Sequence, residues 1–284
     1  MSSYLISGSG GFIGSSLYFK LLKLGHSPKA IPRDVLYNYF SLKEFLKLEK
    51  PDYIVHLAAW GNHSTQTDLD KIISSNINLT ATLLQASKDI NYKGFINIGS
   101  SSEYGDKSKP MSELDLPETD TYYGASKVAT TYLSRAFVKQ ENKPIVTVRP
   151  FSVYGPREAS HRFIPTVIIS ALEGKKFDLA EKPMHDWIYI DDFLNGLLLV
   201  AENAGKLQGQ TVNIGTGKQF SNLDVIKTLE EIHGKIEYNT SERLRSYDSG
   251  YWVADNTKLK SLGWKQQYTL YQGLKKTYDF IKGS

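Results

Sequence analysis

Short apolar runs and longer amphipathic stretches alternate along the first half of the chain. YLIS at residues 4–7 is an unbroken apolar run that ends on glycines, the pattern of a strand buried on both faces. FIGSSLYFKLLKLG (12–25) has helical spacing and a glycine stop at Gly25. PKAI (28–31) reads as a second strand. SLKEFLKLEK (41–50) reads as an amphipathic helix, with Ser41 as its N-cap and Glu44 closing a capping box. DYIVHLAA (52–59) is a buried strand, 72–88 is helical and GFINIG (94–99) is again a strand. A helix over 122–139 and the strand PIVTVRP (144–150) complete the series. This alternation predicts an α/β fold, a doubly wound parallel sheet with helices on both faces.

After Pro150 the rhythm changes. FSVYGPREASHRFIP is loop-like, and a helix follows over 163–173. WIYIDDFLNGLLLVAEN (187–203) returns to strand then helix. From Leu223 the pattern predicts a helix, a short strand at KIEY, a long loop and two more helices. The expected organisation is a first domain over 1–151, to which 185–214 returns, and a smaller interleaved lobe over 152–284.

Composition narrows the function. The 284 residues are 40% hydrophobic, enough for a sizeable core. The net charge of +4 comes without a clustered basic stripe, which argues against nucleic acid as a partner. With no cysteine, disulfides, thiolate catalysis and cysteine-bound zinc are excluded, and a reducing compartment fits. No signal-peptide pattern and no apolar run of about 18 residues is present. The chain reads as a soluble cytoplasmic protein with no membrane partner. His26, His63 and His233 lack metal-ligand spacing, so no metal is expected.

Two local patterns carry chemistry. Gly8, Gly11 and Gly14 form G-x-x-G-x-x-G between a strand and a helix. Such a turn lets backbone N–H groups and the helix N-terminus approach a dinucleotide pyrophosphate. Beyond the second strand stand Arg33, suited to the 2′-phosphate of NADP, and Asp34, suited to the plain ribose of NAD. The reading favours NADP and leaves NAD open. The second pattern is Tyr123 and Lys127, one helical turn apart. A nearby ammonium stabilises the phenolate of a residue that otherwise titrates near ~10. Upstream, Ser100, Ser101 and Ser102 follow a strand's carboxyl end, where a doubly wound sheet places its chemistry.

With HLAA (56–59), NINLT (76–80), SSSEYG (100–105), RPFSVYGP (149–156), DWIYIDD (186–192) and A-D-x-x-K-x-x-x-L-G-W from Ala254, the chain resembles the extended short-chain dehydrogenase/reductase family. These are Rossmann-fold epimerases, dehydratases and reductases of nucleotide sugars. The resemblance implies Ser100, Tyr123 and Lys127 as the catalytic group. It places Gly8, Gly11, Phe12, Ile13 and Gly14 at the pyrophosphate, and Leu57, Ala58, Ala59 and Asn76 beside the cofactor. It assigns Ser101, Ser102, Ser152, Arg162, His185 and Arg245 to a nucleotide-sugar substrate. It also implies a homodimer packed through the tyrosine helix, for which Val128, Leu133 and Phe137 are available.

Departures from the family pattern refine the expectation. His185 stands where arginine is usual, and Ser152 where asparagine is frequent. Ser101 and Ser102 replace the acidic pair of the dehydratases, which disfavours dehydration. Ser102 and Arg162 occupy positions where epimerising reductases carry cysteine and histidine. The short segment from Pro32 to Ala59 resembles NADPH-dependent reductases of 4-keto-6-deoxy nucleotide sugars. A 4-ketoreductase is therefore expected, with a 4-epimerase holding NAD, or a non-catalytic dinucleotide sensor, as alternatives.

Overall fold

The computed structural model describes residues 1–63, 65–241 and 249–284. Its elements in order are β1 (Ser3–Ser7), α1 (Phe12–Lys23), β2 (Ser27–Ala30), α2 (Arg33–Leu36), α3 (Tyr39–Glu49), β3 (Tyr53–His56), α4 (Leu69–Ile72), α5 (Leu79–Ser87), β4 (Gly94–Ile98), α6 (Tyr122–Glu141) and β5 (Ile145–Pro150). Then come β6 (Ser152–Tyr154), α7 (Phe163–Glu173), β7 (Phe177–Leu179), β8 (Met184–His185), β9 (Trp187–Tyr189), α8 (Ile190–Glu202), β10 (Thr211–Ile214), β11 (Phe220–Ser221), α9 (Asn222–His233), β12 (Tyr238–Thr240), α10 (Thr257–Ser261) and α11 (Leu270–Lys282).

The chain divides into two units. The first holds residues 1–105, 113–150 and 196–213, and the second holds 106–112, 151–195 and 214–284. The first unit is built on a sheet of order β10-β5-β4-β3-β1-β2. From β1 the chain goes to β2 on one side, then returns to β3 on the other and continues outward to β4 and β5. That reversal makes it a doubly wound sheet, with its switch point at the carboxyl ends of β1 and β3. The pairing is parallel, with Tyr4 beside Tyr53 and Ser7 beside His56. Burial on both faces explains why the strands read as unbroken apolar runs. Leu5, Leu42, Leu46, Ile54, Leu83, Leu84, Phe95 and Ile145 form one core cluster. Each such side chain contributes about 1.5–3 kcal/mol by leaving water.

Several boundaries differ from the sequence expectation. Helix α3 starts two residues early, at Tyr39, because the Asn38 side chain rather than Ser41 caps it and accepts the Ser41 N–H at 3.0 Å. The helix expected over 72–88 is α4 and α5 joined by a π-helical turn over Ile73–Asn78. Strand β2 stops at Ala30, and Arg33 and Asp34, expected beyond it, open helix α2. The loop after Pro150 contains β6. The strand expected at KIEY shifts to Tyr238–Thr240.

In the second unit β6 runs parallel to β9, β7 runs parallel to β12, and β8 pairs antiparallel with β11. One buried polar feature there is Asp186. Oδ1 accepts the N–H and the hydroxyl of Thr216 at 2.7 and 2.6 Å, and Oδ2 accepts the N–H groups of Gly217 and Ala254 at 2.9 and 3.0 Å. This carboxylate fastens two loops to the start of β9.

Candidate active site

Three adjacent strands of the first unit deliver the candidate residues at their carboxyl ends: the glycine turn after β1, Leu57–Ala59 after β3, and Ser100 after β4. Gly8 adopts φ +72°, and a methyl group there would stand 2.7 Å from the Ala58 nitrogen. A methyl on Gly14 would collide with the Gly8 carbonyl. Around Gly10, by contrast, there is open space. Gly11 caps α1 without any side chain, and its own N–H closes the turn on the Gly8 carbonyl at 3.1 Å. Phe12 and Ile13, both half-buried, begin the helix. A tight bend with bare amides at a 12-residue helix's N-terminus fits a pyrophosphate.

On the other side of β1, the N–H groups of Leu57 and Ala58 donate to Ser7 Oγ at 3.1 and 3.2 Å. Ala59 is exposed beyond them. Asn76 lies in the π-helical turn, a device enriched at functional sites. Its Oδ1 accepts the Trp60 N–H at 2.8 Å, and its Nδ2 donates to the Trp60 carbonyl at 2.8 Å and to Ser126 Oγ at 2.9 Å. Asn76 thus holds the loop after β3 against α6. Arg33 and Asp34 are exposed, with the Arg33 guanidinium 6.0 Å from the Tyr37 ring centre.

Helix α6 carries Tyr123 and Lys127. Thr121 caps it by accepting the Gly124 N–H at 3.0 Å. Gly124 lets the first turn press onto the Ser101–Glu103 turn, since a methyl there would lie 2.6 Å from the Ser102 carbonyl. Lys127 is only 5% exposed. Its Nζ donates to the Ile98 carbonyl at 2.8 Å, two residues before Ser100, and lies 5.7 Å from the Tyr123 ring centre. Burial pulls the Lys127 pKa down to about 8, against the opposing pull of the Glu103 carboxylate. Ser100 caps the short turn that follows β4, its Oγ accepting the Ser102 N–H at 3.1 Å. Ser101 is buried and Ser102 half-buried.

Beneath this group lies a charge set to which the sequence reading gave no role. Glu103, fully buried, accepts the Ser100 N–H at 2.9 Å through Oε1. Through Oε2 it accepts the Thr131 hydroxyl at 2.8 Å and Arg149 Nη2 at 2.7 Å. A methyl on Gly99 would run into Glu103 Oε1, so the glycine leaves that carboxylate its room. The signal for Arg149 was present: a cation inside an otherwise apolar buried run must have a partner.

In the second unit Ser152 Oγ lies 3.4 Å from His185 Nδ1. Arg162 Nε lies 3.7 Å from Glu158, whose buried carboxyl is pushed up to about 8 by its burial. Arg245 lies outside the described residues. Among the described residues no His/Asp/Glu cluster could hold a metal ion, and no helix is long and apolar enough to cross a membrane.

Comparison with known proteins agrees with this architecture. Residues 4–215 match the model of the NAD dependent epimerase/dehydratase family. The chain belongs to that family, and it is an enzyme of the extended short-chain dehydrogenase/reductase type. It is 31% identical to an uncharacterised UDP-glucose epimerase of Bacillus subtilis, over 91% of this chain and 90% of that one. It is 30% identical to dTDP-glucose 4,6-dehydratase 1 of Escherichia coli, over 81% and 72%. Among solved structures, UDP-glucuronic acid 4-epimerase from Bacillus cereus, in complex with UDP-glucuronic acid and NAD, superposes with a TM-score of 0.89 at 30% identity, covering 99% of both chains.

Proposed function

We propose that the chain reduces the 4-keto group of a nucleotide-diphosphate 6-deoxysugar. The observation that carries this reading is the buried Lys127 beside Tyr123, on a helix pressed against the turn that Ser100 opens. When bound, the nicotinamide supplies the hydride. The chain supplies the proton and orients the oxygen. The Tyr123 phenol gives its proton to the ketone oxygen. Ser100 Oγ is anchored by an incoming N–H, which leaves its own hydrogen to donate to the same oxygen. Lys127, charged at neutral pH, stabilises the phenolate left behind. Gly8, Gly11, Phe12, Ile13 and Gly14 seat the pyrophosphate, and Leu57–Ala59 and Asn76 shape the adjoining wall. Arg33 reads a 2′-phosphate, which favours NADP over NAD. We assign Ser101, Ser102, Ser152, Arg162, His185 and Arg245 to the nucleotide sugar, and infer a homodimer built on α6 in the cytoplasm.

Dehydration needs acids next to the reacting hydroxyl. Here serines stand there, and Glu103 is tied to Arg149 and Thr131 instead. Tyr123→Phe removes one oxygen, and turnover of a keto sugar is expected to fall about a thousandfold with dinucleotide affinity unchanged. Full activity in that variant refutes the assignment. A second reading, a 4-epimerase that keeps NAD bound, is favoured by the Bacillus cereus neighbour. Purified protein that retains NAD and consumes no NADPH with keto sugars supports the epimerase.

A further inference from the structure

The sheet's switch point and the tyrosine helix are joined by a series of directed hydrogen bonds that passes through the Asn76 residue itself. Ser7 Oγ receives the N–H groups of Leu57 and Ala58, which occupy its two lone pairs. In its contact with His56 Nδ1, at 2.6 Å, Ser7 must therefore be the donor. Nδ1 is then the acceptor, and the ring carries its proton on Nε2, which donates to Thr80 Oγ1 at 3.0 Å. Thr80 passes its own hydrogen to the Asn76 carbonyl at 2.6 Å. Asn76 Nδ2 donates to Ser126 Oγ at 2.9 Å, and Ser126 donates to the Tyr123 carbonyl at 2.7 Å. The Leu57 N–H is shared with the Ser7 carbonyl at 3.2 Å, and every link lies in the first unit.

We propose that His56 is a positioning residue that fastens the glycine-bearing end of β1 to the helix carrying Tyr123 and Lys127. Ser7 immediately precedes Gly8, and the Ser7 hydroxyl also sets the backbone of Leu57 and Ala58, against which Gly8 packs. Ser126 immediately precedes Lys127. A shift of the imidazole therefore moves the dinucleotide seat and the proton donor together. Leucine would fill the space and leave a buried hydroxyl and a backbone-bound threonine without their partner. Only a group that accepts on one side and donates on the other closes the series. Burial, with the charge of Lys127 in support, pulls the His56 pKa down to about 3, so the ring stays neutral and the direction of the series does not reverse.

The inference rests on the reductase reading for its catalytic consequence, but two of its tests do not. In nitrogen-labelled protein without substrate, His56 is expected to show a bonded proton on Nε2 and none on Nδ1, unchanged from about pH 6 to 9. A proton on Nδ1, or titration in that range, overturns the proposal. His56→Leu is expected to weaken NAD(P)H binding and to lower keto-sugar turnover at saturating dinucleotide, each about tenfold. His56→Gln, which keeps one acceptor and one donor, is expected to recover most of both. A folded His56→Leu protein with wild-type NAD(P)H affinity overturns the proposal, whatever its turnover. Should His56→Leu fail to fold, Thr80→Val breaks a single link and is read by the same NAD(P)H titration, with about threefold weaker binding expected and none overturning the idea. If the unaltered enzyme reduces no keto sugar, the reductase reading fails while the tautomer and the NAD(P)H titrations still decide this one.

Discussion

Among the described residues Glu103 in the first unit and Asp186 and Asp192 in the second are fully buried carboxylates, and the fold accommodates Glu103 and Asp186 in opposite ways. Asp186 is surrounded by neutral donors: three backbone N–H groups and one hydroxyl. Burial still raises its pKa despite those four bonds, so desolvation outweighs what they return. Glu103 instead has a buried cation, Arg149, and takes up only one backbone N–H, that of Ser100. A staple needs acceptors with fixed geometry, and Asp186 supplies them. A site that must keep a second cation charged needs a net negative group nearby, and Glu103 acts on Lys127 in that sense. The difference teaches that burial alone does not mark a functional acid. What matters is which charge its field reaches.

The sharpest way to break the comparison is Glu103→Gln. It leaves the Arg149 guanidinium buried without its counter-charge, for an expected loss of about 3–5 kcal/mol in denaturant unfolding. The same change withdraws the field that supports a protonated Lys127. The fall in reductive turnover, expected as pH rises through about 8, should then move to lower pH. Replacing both partners, Glu103→Gln with Arg149→Met, is expected to restore much of the stability but not the pH profile. A double variant with a restored profile would make Glu103 a mere staple, like Asp186.

Lys127 gives the next effect. Its pKa is about 8 in the folded chain against an ordinary value of 10.5. Between those values the unfolded chain binds the proton and the folded chain does not, so stability rises with pH across that window. The size is about 3 kcal/mol, present in full only above pH 10.5 and absent below pH 8. Lys127→Met should remove that slope and most of the turnover together. A slope that survives the substitution would assign it to other groups.

Asp186→Asn is smaller. The amide keeps one acceptor oxygen but points an N–H₂ at two donors, at an expected cost of about 2 kcal/mol. Turnover and its pH profile per folded molecule should not change, in contrast to Glu103→Gln. A shifted profile would show that the field of Asp186 also reaches the chemistry.

The alternation of strands and helices was legible because a sheet buried on both faces forces largely apolar runs, as in YLIS and GFINIG. The glycine turn was legible because Gly8 and Gly14 stand where any side chain meets backbone. Ser100, Tyr123 and Lys127 were legible as a motif. The start of α3 was not, because Asn38 lies before two aromatic residues that resemble loop more than helix, while Ser41 and Glu44 imitate a capping box. The π-helical turn left no trace in ISSNIN, since its extra residue is set by where Asn76 must reach. His56 and Arg149 were visible only as polar interruptions of apolar runs, and Glu103 only as one more polar residue after three serines. Their partners come from residues 24 to 49 positions away, which no local pattern reports.

The finest test removes one hydroxyl from Asp186 and one from Glu103. Thr216→Val leaves Asp186 with three backbone donors, and Thr131→Val leaves Glu103 with Arg149 and the Ser100 N–H. Valine matches threonine in shape, so Thr131→Val deletes little beyond one hydrogen bond, about 1 kcal/mol, while Thr216→Val also takes the acceptor from the Lys218 N–H, held at 3.2 Å. Thr216→Val should therefore lower the denaturant midpoint at least as much as Thr131→Val. They should differ in turnover, because Thr131 sits on α6 one helical turn beyond Lys127, and its bond fixes the Glu103 carboxylate relative to that lysine. A carboxylate freed to rotate toward Arg149 supports the ammonium less, so the alkaline fall of Thr131→Val should begin at slightly lower pH while that of Thr216→Val stays in place. Identical profiles in the two variants would show that Arg149 and Ser100 already fix Glu103, and that the threonine adds stability alone.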